Sequence, residues 1–360
     1  MPKHKGALSK ELSIGGVGLT DRALFAKHLA VMLKSGVPIT EALATAGDAA
    51  SGKLKNIIHT ILAAVESGRP LSAALSDHPK VFSGLFVQAT YAGETSGTLV
   101  ENLENVAIQL EKEKELVTKI RGAMLYPIII LIATSILGLA MAFLVLPKIT
   151  PLFEGLHTKL PLTTRTLIAF SHYIELHGVQ LVVEIILGVF ILLWVTRQKF
   201  SRPVTNYLTL HTPIINTMVR ASNLARFSRT LGTLLKSGIG IGESLEITQK
   251  AVGNYYYQRA VGEAALRVSK GEKLAESLSD FEKLFPKIVT RMIKVGEESG
   301  KLEDTLFYLA DFYEVEVDSS TKTLSTAIEP ILLLIIGFIV GGLALSIITP
   351  IYEITGNIHR

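Results

Sequence analysis

Few residues in this chain have the types and spacing that chemistry requires, and each candidate has a plain structural alternative. Gly47–Lys53, GDAASGK, matches the first seven positions of a phosphate-binding P-loop. The eighth position is Leu54, where a Ser or Thr hydroxyl would hold Mg²⁺, and no buried strand precedes the segment. The sequence therefore favours a turn between helices here over a nucleotide site.

Two acidic turns, GETSG and GEESG, occupy equivalent places in the two halves of the chain. Their glycines suit a positive backbone φ, and their serines suit the capping of the next helix. Each glutamate could contact a protein partner or a buried helix N-terminus. These candidate partner-contact turns contain Gly93, Glu94, Ser96 and Gly97 in the first half, and Gly296, Glu297, Ser299 and Gly300 in the second.

Other ionisable residues lie in or near apolar segments. Glu184 interrupts an apolar run, and it should face protein or water, because a carboxylate at the centre of a bilayer costs about 2.5–3.5 kcal/mol on insertion scales. The spacing of His172, Glu175 and His177 does not place all three on one helix face, so we predict no metal site.

Cysteine is absent, which excludes a thiolate nucleophile, disulfides and cysteine-ligated metals. No HExxH, GxSxG or nucleotide-binding GxGxxG motif occurs either. The sequence therefore predicts no catalytic residue and no cofactor, and a protein that is not an enzyme.

The elements that position these residues occur twice. Phe25–Ala44 returns as Phe227–Glu246, 202 residues later, and the acidic turns are 203 residues apart. Each copy ends in an apolar segment closed by a proline, Pro147 in the first and Pro350 in the second. The chain is thus a duplicated unit in which a soluble domain precedes a membrane helix.

Three segments are apolar enough to cross a membrane, consistent with a mean hydropathy of +0.40. Leu125–Pro147 and Pro330–Tyr352 contain no Asp, Glu, Lys, Arg or His, and each exceeds the roughly 20 residues that a spanning helix needs. In Val179–Val195 the one charged residue is Glu184. In the third segment Gly337 and Gly341 form a candidate helix-packing face, for which Gly138 is a counterpart in the first.

Both soluble segments carry apolar residues at helical spacing. Thr20 can cap the first helix, and Gly36 can end it in a left-handed conformation. Alternation of period two is nowhere sustained. The sequence predicts an all-α integral membrane protein with two homologous cytoplasmic helical bundles, about six helices each, and three transmembrane helices.

The predicted order of segments follows from the duplication and the apolar runs. It comprises a flexible basic leader at 1–19, the repeat 1 bundle at 20–121, transmembrane helix 1 at 122–147, an extracytoplasmic loop at 148–178, transmembrane helix 2 at 179–196, the repeat 2 bundle at 197–327, transmembrane helix 3 at 328–351 and an extracytoplasmic tail at 352–360.

The two soluble segments are separated by two spans, so they lie on the same side of the membrane. Basic residues cluster beside the membrane on that side. By the positive-inside rule this side is cytoplasmic. The cluster contains Lys112, Lys114, Lys119 and Arg121 before the first span and Arg197, Lys199 and Arg202 after the second.

The run Lys119–Pro147 closely resembles the signature of the inner-membrane platform proteins of type IV pilus assembly and type II secretion, the PilC/GspF family. In the second copy, Glu329 and Pro330 replace a Tyr-Pro pair. The likeness covers nearly the whole chain from about Phe25 onward. Its signature positions include Lys119, Ile120, Tyr126, Pro127, Thr134 and Pro147, with Glu329, Pro330 and Pro350 in the second copy.

The resemblance implies a non-enzymatic, homo-oligomeric scaffold in the bacterial inner membrane. The number of spans and the flanking charges predict a cytoplasmic N-terminus and an extracytoplasmic C-terminus. Its implied partners are a hexameric secretion or assembly ATPase, pilin or pseudopilin subunits and other inner-membrane assembly proteins. No basic patch interleaved with aromatic residues indicates nucleic-acid binding. The alternative is a membrane transporter or channel subunit with cytoplasmic helical domains, although a single intramembrane acid gives little to line a polar path.

The topology yields a first testable prediction. Reporter fusions at Gly52 and Gly253 should show the same cytoplasmic location, and a fusion after Arg360 should show the opposite one. Alkaline phosphatase and green fluorescent protein fusions in intact cells measure this directly. One shared location for all three sites would rule out the topology with three spans.

Overall fold

The computed structural model describes residues 16–145, 147–148, 151, 162–198, 200–213 and 215–357. Parts of the predicted leader, loop and tail, at 1–15, 152–161 and 358–360, lie outside these ranges. Every regular element in the described part of the chain is helical, as predicted. The chain forms two compact units: Met1–Thr118 with Asn216–Val317, and Lys119–Ile215 with Asp318–Arg360.

The first unit contains both copies of the soluble segment, here called repeat 1 (19–118) and repeat 2 (216–317). Repeat 1 begins with five helices and enters a sixth that is much longer. The positive φ of 86° at Gly36 confirms that this glycine ends the first helix. The helices are α1 (Leu19–Lys34), α2 (Ile39–Ala49), α3 (Gly52–Glu66), α4 (Leu71–Ser76), α5 (Gly84–Ser96) and α6 (Leu99–Ala140).

Repeat 2 reproduces this order. Equivalent residues are 202 apart through Val252 and 203 apart from Asn254, so the single inserted residue is Gly253, between two helices. The N–H groups of Gly253 and Asn254 both donate to the Asn223 side-chain oxygen, at 3.1 and 3.0 Å. The helices are α9 (Ile215–Lys236), α10 (Ile241–Ala251), α11 (Tyr255–Val268), α12 (Leu274–Ser279), α13 (Lys287–Ser299) and α14 (Leu302–Asn357).

Buried aromatic rings mark the centre of each repeat. In repeat 1 the ring centroid of Phe82 lies 5.6 Å from that of Phe25 and 5.1 Å from that of Phe86. In repeat 2 the equivalent pair, Phe227 and Phe285, has centroids 5.1 Å apart. Such edge and tilted contacts are the favourable geometry for aromatic pairs. Both copies therefore have the same pair of buried aromatic rings at the centre of the core.

Within the first unit the two repeats pack against each other. Leu234 and Ile239 of repeat 2 are buried in the same apolar cluster as the core of repeat 1. The Gln109 amide donates to the Thr230 hydroxyl at 3.3 Å and accepts from the Thr233 hydroxyl at 3.4 Å. The soluble copies are therefore partners in one compact body.

The second unit holds the three helices that are long and apolar enough to span a membrane, which confirms the predicted number. It contains the later parts of α6 and α14, a π-helical turn at Met141–Val145, α7 (Leu162–Arg197) and α8 (Arg202–His211). A Cβ atom on Gly178 of α7 would overlap the Phe143 ring, so this glycine permits close packing between α7 and the π-helical turn.

One local expectation was wrong. Thr20 lies inside α1, which begins one residue earlier; the N-cap is Gly18, whose N–H donates to the Asp21 carboxylate at 3.1 Å. Helix α7 begins at Leu162, so its first part lies in the stretch predicted as an extracytoplasmic loop, and its later part contains the predicted second span.

Candidate functional site

The acidic residue of each turn is held inside its own repeat. The Glu94 carboxylate, on α5, accepts hydrogen bonds from the backbone N–H groups of Leu71 and Ser72, at 2.5 and 3.2 Å. These N–H groups belong to the first turn of α4, where the helix itself supplies no acceptor. A negative charge also suits the positive end of the helix dipole. Glu94 therefore caps α4 from a neighbouring helix.

Glu297 has the same arrangement in repeat 2. Its two carboxylate oxygens accept from the N–H groups of Leu274 and Ala275 at 2.7 and 3.0 Å, at the start of α12. The sequence left two roles open for this glutamate, contact with a protein partner or with a buried helix N-terminus. Within the chain it makes the contact with the helix N-terminus. Because both copies have it, the contact belongs to the duplicated unit.

The glycines of the turns have two different tasks. Gly97 and Gly300 end α5 and α13 with positive φ values of 76° and 67°. Gly93 lies inside α5, where an added Cβ would sit 2.7 Å from the Leu99 Cα, so only glycine permits this approach of α5 to α6. Gly296 is equally confined, with the Leu302 Cα at 3.0 Å.

The serines do not cap the following helix. The Ser96 hydroxyl donates to the Ala92 carbonyl at 2.6 Å, one turn back in its own helix. Ser299 likewise donates to the Gly296 carbonyl, at 3.4 Å. A serine at the end of a helix can bond back to the preceding turn, and that local bond prevails here.

A groove of about 500 Å³ lies beside Glu94 on the surface of repeat 1. Its walls come from α4 and α5, and Tyr91 is its largest exposed side chain, with 56% of its surface accessible. Apart from Glu94 no residue of the groove carries a charge at neutral pH. The lining residues are Pro70, Ser72, Ala73, Ser76, Val87, Gln88, Tyr91, Glu94 and Thr95.

The equivalent surface of repeat 2 has a different chemistry. Lys273 replaces Pro70, Arg291 replaces Gln88, Lys294 replaces Tyr91, and acidic side chains replace Ala73 and Thr95. Charged side chains of this kind favour water over a protein partner at the centre of an interface. The groove of repeat 1 therefore has Glu94 as its one charged lining residue, whereas the equivalent surface of repeat 2 carries several charged side chains.

A second cavity, of about 280 Å³, lies between the two repeats within the first unit. Arg22, Arg226 and Lys250 line it together with a single acid, Glu113. Beside it the Arg229 guanidinium is buried and pairs with the carboxylates of Asp311 and Glu314. The Lys112 ammonium of repeat 1 lies 3.5 Å from Glu314. These contacts neutralise a buried charge where the repeats meet.

The remaining candidates are scattered. Gly52 starts α3 with φ +56° and Lys53 follows inside the helix, so the P-loop-like segment is a helix–helix turn. Glu184 is exposed at the surface of α7 and accepts a hydrogen bond from Gln180 at 3.0 Å. Within the described ranges no three His, Asp or Glu side chains come close enough to share a metal ion, and His172 lies 3.7 Å from Glu175.

The candidate packing glycines of the spans have open space where a side chain would begin. A Cβ atom built on Gly138, Gly337 or Gly341 meets no heavy atom within 4 Å.

The family-signature residues lie on the two long helices. Lys119 pairs with Asp318 at 3.5 Å, and α6 continues through Pro127. Helix α14 likewise includes Glu329, Pro330 and Pro350.

Two helical repeats, each continuing into a helix that is long and apolar enough to span a membrane, define the class of this protein, a membrane protein built by duplication. The sequence profile of the family described as type II secretion system (T2SS), protein F, matches residues 25–147 and 227–350. The two matches begin and end at equivalent residues of the internal repeat. The chain belongs to this family.

Its relatives come from both type IV pilus and type II secretion systems. Type IV pilus assembly protein PilC of Thermus thermophilus is 37% identical over 346 residues, 95% of this chain and 84% of that protein. The PilC protein of Myxococcus xanthus is 32% identical, over 99% of this chain and 86% of its own. Type II secretion system protein F of Aeromonas hydrophila is 31% identical, over 96% and 89%. The chain is an inner-membrane component of this type.

The cap formed by Glu94 can be tested by hydrogen exchange. Glu94→Gln removes the charge and one of the two equivalent acceptors, and the loss of a cap costs about 1 kcal/mol. The amides of Leu71 and Ser72 should therefore exchange several-fold faster in the full-length protein, as measured by mass spectrometry after proteolysis. Glu66→Gln, an exposed residue at the end of α3, is the matched control and should leave α4 unchanged. Unaltered exchange in α4 would contradict the capping role.

Proposed function

We propose that this protein is a non-enzymatic inner-membrane platform that couples a cytoplasmic assembly or secretion ATPase to the polymerisation of pilin or pseudopilin subunits. The two repeats would face the ATPase, and the spans would meet the subunits as they leave the bilayer. The membership in the protein F family supports this proposal most strongly, together with relatives named for pilus assembly and for secretion.

The continuity of two helices supports a mechanical role. Helix α6 runs from Leu99 to Ala140 and helix α14 from Leu302 to Asn357, so each passes from a soluble repeat into a span with no loop between them. A continuous helix transmits a push or a rotation applied at one end, whereas a flexible linker would absorb it. This is the observation on which the coupling part of the proposal rests.

The groove of repeat 1 is our candidate for the ATPase contact. It lacks the charges that fill the equivalent surface of repeat 2, and it exposes Tyr91, a residue type enriched at the energetic centres of interfaces. The acidic turn shapes this groove because Glu94 holds α4 against α5. In this proposal the turn positions the contact surface, and Tyr91 provides the contact.

The central experiment uses the full-length protein in liposomes with a candidate assembly ATPase from the same organism. Wild-type protein should retain the ATPase on the vesicles and stimulate its ATP hydrolysis. Tyr91→Ala should weaken retention about tenfold, the loss expected for an exposed hot-spot side chain, without a change in helical content. Lys294→Ala, the equivalent position of repeat 2, is the matched control and should bind like wild type.

Three results would count against the proposal. Failure of the wild-type protein to retain the ATPase would remove the coupling role. Hydrolysis of ATP by the purified protein alone, abolished by Lys53→Ala, would make it an enzyme. A sustained ion or solute flux across the liposomes would instead indicate the transporter or channel alternative.

A further inference from the structure

The contact between the two repeats joins two different surfaces. Repeat 1 contributes the start of α5 and one side of α6, including Leu85 and Gln109, called here the α5/α6 face. Repeat 2 contributes one side of α9 and the end of α10, including Thr230, Thr233 and Lys250, called here the α9/α10 face. A head-to-tail contact of this kind leaves one copy of each surface unused.

The unused counterpart of the α5/α6 face lies on repeat 2. It is formed by the start of α13 and one side of α14. Leu85 is 5% exposed in repeat 1, whereas its equivalent Ile288 is 58% exposed. Gln109 is 6% exposed, whereas its equivalent Phe312 is 51% exposed, and Val315 beside it is 70% exposed. Repeat 2 thus presents an apolar patch to solvent where repeat 1 has an interface.

The unused counterpart of the α9/α10 face lies on repeat 1. Thr233, buried between the repeats, has the equivalent Val31, which is 53% exposed. Arg226, which lines the inter-repeat cavity, has the equivalent Leu24, also exposed. This second free surface, on α1 and the end of α2, therefore exposes two apolar side chains, with the exposed His28 at the position equivalent to Thr230.

The two unused faces differ from the inter-repeat contact in ways that match each other. Between the repeats, Gln109 and Thr233 form a hydrogen bond. In a contact between the two unused faces, their equivalents Phe312 and Val31 would meet instead, so two apolar side chains would take the place of two polar ones. Gly84 and Lys250 line the same inter-repeat cavity, and their equivalents are Lys287 and Asp48, which carry opposite charges. Both side chains are accessible, Lys287 at 71% and Asp48 at 76%.

We infer that a second copy of this chain docks head to tail on the first, with the α13/α14 face of one molecule against the α1/α2 face of the next. The apolar residues pack at the centre, and Lys287 lies opposite Asp48. Helices α6 and α14 run in the same direction, as the pairs Lys112–Glu314 and Lys119–Asp318 show. The inference depends on the proposed platform only in placing both repeats on one side of the membrane.

Cysteine crosslinking in membranes tests this contact, because the chain has no cysteine of its own. Two differently tagged full-length chains are expressed together, one with Val31→Cys and the other with Phe312→Cys, and treated with a short bis-maleimide. The expected product is a mixed dimer carrying both tags. A chain that carries both Lys119→Cys and Asp318→Cys is the positive control and should crosslink within one molecule, because these side chains are accessible and lie 3.5 Å apart. Thr60→Cys, exposed on α3, replaces Val31→Cys in the negative control.

Charge reversal tests the register of the contact. Asp48→Lys or Lys287→Asp alone should lower the yield of mixed dimer about fivefold, and the two reversals together should restore it. Absence of the mixed dimer while the intramolecular control reacts would overturn the inference. Dimers formed mainly between two Phe312→Cys chains would also overturn it, since they require a symmetric contact. Neither result would alter the retention of the ATPase, so the two proposals can fail separately.

Discussion

The structure depends on a constraint that acts on two helices at once. The backbone of a span must satisfy its own hydrogen bonds, because hydrocarbon offers none, and this requires a helix. In α6 and α14 the same helix also supplies core residues to a soluble repeat, such as Leu103 and Val106 in the first copy and Leu306 and Leu309 in the second. Each of these two helices therefore has one part of its length in a soluble core and another part in an apolar segment.

Duplication gives this arrangement its asymmetry. The two copies share their aromatic nucleus, their helix caps and their left-handed glycines, and they differ on their surfaces. The repeats use one pair of faces to hold each other, with Gln109 between Thr230 and Thr233 and with Arg229 neutralised by acids. The surfaces left outside that contact have diverged, one into a groove beside α4 with Glu94 as its one charged lining residue and others into apolar patches. These differing surfaces are the ones to which we assign the proposed contacts.

The sequence predicts the local structure well because its signals are short-range. Gly36 and Gly97 each stop a helix, and the apolar runs predict three spans, all confirmed by the backbone. The contact between the repeats could not be predicted, because Gln109 and Thr230 are ordinary polar residues on helix surfaces and no periodicity shows that they meet. Gly93 was assigned to a turn, although its place inside α5 reflects a close approach that only the folded chain reveals. The constant offset between equivalent residues was the signal in the sequence that could have helped. A comparison of the two copies at each position separates residues that pack in both copies from surface residues that differ.

The most direct test of the account is whether α6 is one continuous helix from repeat to membrane. Spin labels on Lys114→Cys and Ile132→Cys, in an otherwise cysteine-free chain diluted with unlabelled protein in liposomes, report the distance between the two sites by pulsed electron paramagnetic resonance. A continuous helix at about 1.5 Å per residue predicts a narrow distribution near about 27 Å. A broad distribution, or one centred well below that distance, would show a break between the repeat and the span and would contradict mechanical coupling.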